Sequence, residues 1–160
     1  MVQKLFIFLS LFSFIENDIT LAKEYHYEYY TDGTIKSEGW KLGDNKVDFW
    51  HFYYPNGKVS SEGHYINNQK HGYWYFYSDK SDLLKEGHFI NDKAEKWWII
   101  YDIAAGITKK YQYKNNKKEG FCLLYKNNKL FKAEKYINNM KTGEWTDIFS
   151  FKRDNPNASL

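Results

Sequence analysis

The stretch Trp50-His51-Phe52-Tyr53-Tyr54-Pro55-Asn56-Gly57-Lys58-Val59-Ser60-Ser61-Glu62-Gly63-His64-Tyr65-Ile66-Asn67-Asn68-Gln69-Lys70-His71-Gly72 reads as strand, turn, strand, turn. Asn56-Gly57 stands between two β-prone runs, and an Asn-Gly pair tolerates the positive φ that a tight reversal needs. Asp32-Gly33 repeats that signal one unit earlier, while Asn67-Asn68 marks the second reversal with polar turn residues. Each unit is thus a two-stranded hairpin. A hairpin alone is marginal in water, so successive units must pair edge to edge into one antiparallel sheet.

The same unit recurs along the chain at a fixed period. Trp50, Trp74, Trp98, Cys122 and Trp145 form one column at spacings of 24, 24, 24 and 23. Tyr53, Tyr77, Tyr101, Tyr125 and Phe149 form a second, aromatic throughout. Gly39, Gly63 and Gly87 form a third, in which Tyr111 and Glu134 stand in later copies. Gly72, Gly120 and Gly143 occupy a fourth, filled elsewhere by Asp48 and Lys96. Asn67-Asn68, Asn91-Asp92, Asn115-Asn116 and Asn138-Asn139 keep the same beat. The expected fold is therefore all-β: an elongated single-layer antiparallel sheet of about five 24-residue β-hairpin units over residues 23–151, with a tail at 152–160. At about 10 Å per hairpin the ribbon would run roughly 50 Å. The missing Asn-Gly near Asp79-Lys80-Ser81-Asp82 and Ala104-Ala105-Gly106 predicts irregular turns in units three to five. The Trp and Tyr columns are three residues apart, an odd spacing that either puts rings on both faces or signals a bulge.

A chain with 42% hydrophobic and 21% aromatic residues is not a disordered one. Its mean hydropathy of −0.75 places those rings among polar residues, which suits strands. One cysteine, Cys122, forms no internal disulfide. Residues 1–22 read as a signal peptide: Lys4, an apolar run from Leu5 to Ile15, a polar stop at Glu16-Asn17-Asp18, and small residues at Thr20 and Ala22. That predicts an exported chain, periplasmic, cell-envelope or secreted, with an uncleaved N-terminal anchor as the alternative. The apolar run is well short of the ~20 residues of a spanning helix.

The units resemble MORN repeats of the bacterial kind. Tyr54-Pro55-Asn56-Gly57-Lys58, Ser61-Glu62-Gly63, Lys70-His71-Gly72-Tyr73-Trp74 and Thr142-Gly143-Glu144-Trp145 carry the likeness, which covers residues 27–149. The resemblance implies an elongated hairpin sheet. It also implies interaction functions: scaffolding, membrane proximity or, for some bacterial relatives, a YwqK-family antitoxin role.

The candidate chemistry is sparse. His26, His51, His64, His71 and His88 are too scattered for metal-ligand spacing. Glu38, Glu62 and Glu86 stack by repeat, and read as a solvated row partnered by Lys36, Lys85 or His64 rather than as a catalytic pair. Cys122 takes a tryptophan's place and reads as a packed thiol. No nucleophile elbow, phosphate loop or dinucleotide fingerprint is present. Charge, by contrast, is unevenly spread. Residues 23–104 hold 10 basic and 13 acidic side chains, net −3, whereas 105–145 hold ten Lys against Glu119, Glu134 and Glu144, net +7. Lys109, Lys110, Lys114, Lys117 and Lys118, interleaved with Tyr111 and Tyr113, are the candidate partner-binding residues. The reading is a non-enzymatic repeat module for protein binding or scaffolding, with no cofactor or metal. Its partner would be a protein, an anionic lipid surface or a glycan, with no nucleic acid expected at an exported address. The alternatives are a carbohydrate or peptidoglycan-binding sheet using Trp50, Trp74 and Trp98, and an antitoxin-like partner protein. The exposed sheet edge offers a route to oligomerisation.

Overall fold

The computed structural model describes residues 21–158. The signal peptide expected at 1–22 lies outside them except for Leu21 and Ala22, both exposed. Eleven strands follow: β1 Lys23–Tyr29, β2 Ile35–Leu42, β3 Asn45–Tyr53, β4 Val59–Ile66, β5 Gln69–Tyr77, β6 Leu83–Ile90, β7 Lys93–Asp102, β8 Ile107–Lys114, β9 Lys117–Lys126, β10 Lys129–Ile137 and β11 Met140–Trp145. One short helix, α1 Ile148–Asp154, closes the order. The strands pair strictly in sequence as one open antiparallel sheet. Five hairpins give ten strands, β1–β2 through β9–β10, and β11 is left as a half unit; β1 stands a full period before β3, in phase with the rest. It sets His26 opposite Gly39 and Tyr29 opposite Ile35, as β3 sets Trp50 opposite Gly63 and Tyr53 opposite Val59.

The tight reversals are the Asn pairs. Asn67-Asn68, Asn91-Asp92, Asn115-Asn116 and Asn138-Asn139 all have both φ between 48° and 69°, the signature of a two-residue primed turn. Each also bonds back along the ribbon: Asn68 donates its N–H to Lys46 O (3.0 Å) and accepts the Lys46 N–H on Oδ1 (2.7 Å). Asp92 with Lys70, Asn116 with Ala94 and Asn139 with Lys118 repeat the exchange. Turns on this margin are thus stitched together. Asn56-Gly57, the stronger sequence signal, lies instead in a longer loop where Gly57 alone has positive φ, +79°. The expected irregularity of the third unit is corrected here: Ser78 to Asp82 keep the same bonds as Tyr54 to Lys58, with Ser81 at φ 75° in the glycine's place. Only later does the loop change. Asn127-Asn128 form a two-residue turn, so that Leu124 pairs with Lys132 where the period would place Ala133. The residue missing from the last copy is lost there.

The fourth column also has a backbone cause. Asp48, Gly72, Lys96 and Gly120 have φ of 57°, 72°, 61° and 106°, each within a β-bulge that recurs once per unit. Glycine adopts that conformation freely; other residues carry a cost of roughly 1–2 kcal/mol.

The third column explains the core. Across the strands run Gly39, Trp50, Gly63, Trp74, Gly87 and Trp98, each opposite the next. Every indole lies flat over the glycine before it: a Cβ on Gly39 would stand 2.6 Å from Trp50 Cε2, and one on Gly63 2.5 Å from Trp74 Cε2. Each ring nitrogen donates to the preceding strand, Trp50 to Trp40 O (2.9 Å), Trp74 to His64 O (3.0 Å) and Trp98 to His88 O (3.1 Å). Phe52 and Phe76 fill between the indoles at about 6 Å, and Lys46 and Lys70 close over them. Trp50 and Trp74 are therefore 0% exposed in a sheet one layer thick. Tyr53, Tyr77 and Tyr101 lie on the other face, so both faces carry aromatics.

The sheet stops at Trp145 rather than running to Phe151 as expected. Asp147 accepts the Ser150 N–H (2.8 Å) and caps α1, which folds back. Phe149, assigned to the aromatic column, sits on this helix and is exposed. Phe151 is buried instead, against Leu123 and Ala133 with Phe121 and Trp145 beside it.

Candidate functional site

The basic half begins where the glycine and tryptophan columns exchange roles. Tyr111 takes the glycine position and faces Cys122 in the tryptophan position, so the large and small partners have changed strands. Cys122 is fully buried, and burial pushes its thiol up to about 11, as expected of a packed cysteine. Lys118 stands 4.0 Å over the Tyr111 ring and 5.1 Å over Tyr136. Lys110 replaces the repeat glutamate and lies 5.1 Å over Tyr125.

These contacts separate the candidate residues. Tyr111 is buried and Tyr113 is half-buried beside Trp98. Lys109, Lys110 and Lys118 are half-buried, and strand alternation puts Lys109 and Lys110 on opposite faces. Of the seven, Lys114 and Lys117 are freely exposed, flanking the Asn115-Asn116 turn. Lys126 and Lys129, also exposed, flank Asn127-Asn128 at the opposite margin. The structure thus brings free positive charge to the two margins of the ribbon rather than to one face.

A second feature escaped sequence reasoning. Glu134, in the glycine column, is buried, accepts the Tyr136 hydroxyl (2.9 Å) and lies 3.3 Å from Lys132 and 3.6 Å from Lys141. Lys132 also pairs with Glu144 at 2.9 Å, and hydrogen bonds from both lysines hold the Glu144 carboxyl below its ordinary range. Two of the ten lysines are thereby neutralised. The visible signal was Glu134 beside Lys132 and Lys135 in a place made for glycine.

The glutamate column has partners other than those expected. Tyr53, Tyr77 and Tyr101 donate their hydroxyls to Glu38, Glu62 and Glu86 at 2.6, 2.7 and 2.6 Å. Burial, then these carboxylates, raises all three tyrosines above their ordinary range. Lys85 instead lies over Phe76 on the other face, and His51 Nε2 rather than His64 reaches Glu62, at 3.3 Å. His64 and His88 are not side by side. They sit on β4 and β6 with β5 between, against Phe49 and Tyr73. Among the described residues no group of three His, Cys, Asp or Glu is placed to hold a metal ion, and no helix is long and apolar enough to cross a membrane. The cleft under α1, lined by Leu130, Phe131, Trp145 and Ile148 among others, measures about 60 Å³, room for a few waters only.

The N-terminal end carries exposed rings instead. Tyr25, Tyr27, Tyr29 and Trp40 are 39–58% exposed on the face of the tyrosine column. Tyr25 meets both Tyr27 and Trp40 at 5.2 Å. Against known proteins, the chain matches no family model and no curated sequence.

Proposed function

We propose that this chain is a non-enzymatic binding or scaffolding ribbon of the MORN type, exported to the cell envelope, whose basic half engages an acidic protein or anionic surface. The observation that carries this reading is the placement of Lys114, Lys117, Lys126 and Lys129. All four are exposed and flank two Asn-Asn turns within a segment of net charge +7. The turns place these charges at the margins, where an extended acidic partner can meet several at once. The sugar-stacking alternative loses its footing, because Trp50, Trp74 and Trp98 are covered by their own neighbours. The test is capture from envelope extract and on vesicles containing anionic lipid, comparing the native chain with a Lys114, Lys117, Lys126 and Lys129→Glu variant. Charge reversal should abolish capture at 150 mM salt, and rising salt should weaken the native interaction. Equal capture by both proteins would sink the proposal.

A further inference from the structure

The regular repeats define what one side of β3, β5 and β7 expects. In β3, β5 and β7 the tryptophan ring covers a glycine of the strand before it, and the indole N–H reaches a carbonyl of that strand. The tyrosine hydroxyl bonds a glutamate next to that glycine. All three contacts point toward the N-terminal neighbour, and the neighbour always supplies Glu-Gly: Glu38-Gly39, Glu62-Gly63 or Glu86-Gly87.

β1 is a strand of this kind. His26 holds the tryptophan position and Tyr29 the tyrosine position. The Tyr30 hydroxyl bonds Tyr53 O at 2.7 Å just as Tyr54 bonds Tyr77 O. Among the described residues nothing pairs with its outer edge. Tyr29 is 58% exposed where Tyr53, Tyr77 and Tyr101 are half-buried on their carboxylates. The opposite end of the sheet differs, since α1 folds over β9 to β11 there.

From this we infer that β1 is a docking edge for an extended segment of another protein that carries a carboxylate followed by glycine or another small residue. The segment adds as an antiparallel twelfth strand and continues the interface that β2–β3, β4–β5 and β6–β7 already form. The carboxylate takes the Tyr29 hydroxyl, and the small residue leaves room for the His26 ring. Imidazole is smaller than indole, so alanine or serine fits as well as glycine. The chain itself is a poor source. Twenty-four residues before Glu38 and Gly39 stand Phe14 and Ile15, which supply neither the acid nor the space. Among the described residues the open edges of a second copy are its β1 and β11, and neither carries Glu-Gly. This edge lies apart from the basic margins and does not depend on them.

The experiment titrates the full-length, isotope-labelled chain with a peptide copying Lys58 to Asn67, which contains Ser61-Glu62-Gly63, and follows amide shifts and hydrogen exchange. Saturable shifts and added protection confined to Lys23–Tyr29 are expected. A peptide with Glu62→Gln should bind about tenfold more weakly, through loss of a charge-assisted hydrogen bond, and one with Gly63→Leu should not bind. Tyr29→Phe in the protein should weaken the native peptide while leaving the Glu62→Gln peptide unchanged, a coupling that general stickiness does not produce. The four-lysine reversal variant should bind the peptide normally, which separates this result from the basic-margin proposal. Absence of binding, equal binding of all three peptides, or β1 amides already protected in the free chain, by its own residues or a second copy, overturns the inference.

Discussion

Between β2 and β7 the sheet buries its largest rings against its own backbone; between β8 and β11 it uses a helix. In the first region Trp50, Trp74 and Trp98 each lie on a glycine, and Trp50 and Trp74 vanish from solvent with no second layer above them among the described residues. In the second, the glycine place holds Tyr111 and then Glu134. On the opposite face Phe151 of α1 comes over Leu123 and Ala133. The carboxylates change with the rings. Glu38, Glu62 and Glu86 hold tyrosine hydroxyls in the regular half, while Lys110 covers Tyr125 in the other. One strand plan therefore supports two chemistries, because burial depends on pairing a large with a small residue and not on which strand supplies which.

The two halves differ in ways that mutation can break. The largest effects should come from Trp74→Ala in the regular half and Phe151→Ala in the basic half, each costing about 3–5 kcal/mol in urea unfolding. Hydrogen exchange should place the first loss in β4 to β6 and the second in β9 to β11; loss spread evenly over the sheet would mean the halves are not distinct. Cys122→Trp alone should cost about 1–3 kcal/mol by overpacking against Tyr111. Combined with Tyr111→Gly it should recover at least half of that, as a double-mutant cycle would measure. Simple additivity would refute the exchange of roles.

The halves should also part at alkaline pH. Burial pushes the Cys122 thiol up to about 11 from 9.0, and Tyr65 and Tyr73 up to about 12 from 10.0. Each group keeps its proton in the folded state where the unfolded chain releases it. The stability it contributes is therefore complete below the unfolded pKa and is lost as pH rises through the folded one. Loss should begin near pH 9 through the basic half and near pH 10 through the regular half. Cys122→Ala should flatten the stability curve between about pH 9 and 10 and leave the later, tyrosine-linked fall intact. The smallest effects are gains: Lys96→Gly and Ser81→Gly, both at positive φ, should each raise stability by about 1 kcal/mol in thermal unfolding.

Much of this was legible in the chain. The 24-residue beat, the four Asn-Asn and Asn-Asp turns and the all-β hairpin sheet follow from spacing, because a strand's side chains alternate and its reversals need particular residues. β1 was legible too, since His26 and Tyr29 stand one period before Trp50 and Tyr53, but histidine in the tryptophan column hid it. Asn127-Asn128 was equally visible, out of phase with its relatives. The candidate lysines lie close together in sequence. Their division between two faces and two margins was not, because neighbours along a strand diverge in space.

The sequence by itself settled that this protein is a period of hairpins, since periodicity, turn chemistry and glycine placement are local facts. Only the tertiary structure decided which way each ring leans. The tilt of Trp50, Trp74 and Trp98 onto the preceding glycine, the tyrosine–glutamate bonds and the fold-back of α1 are contacts between elements. Such contacts are set by the space that one strand leaves for its neighbour, and that space is not written in either strand alone.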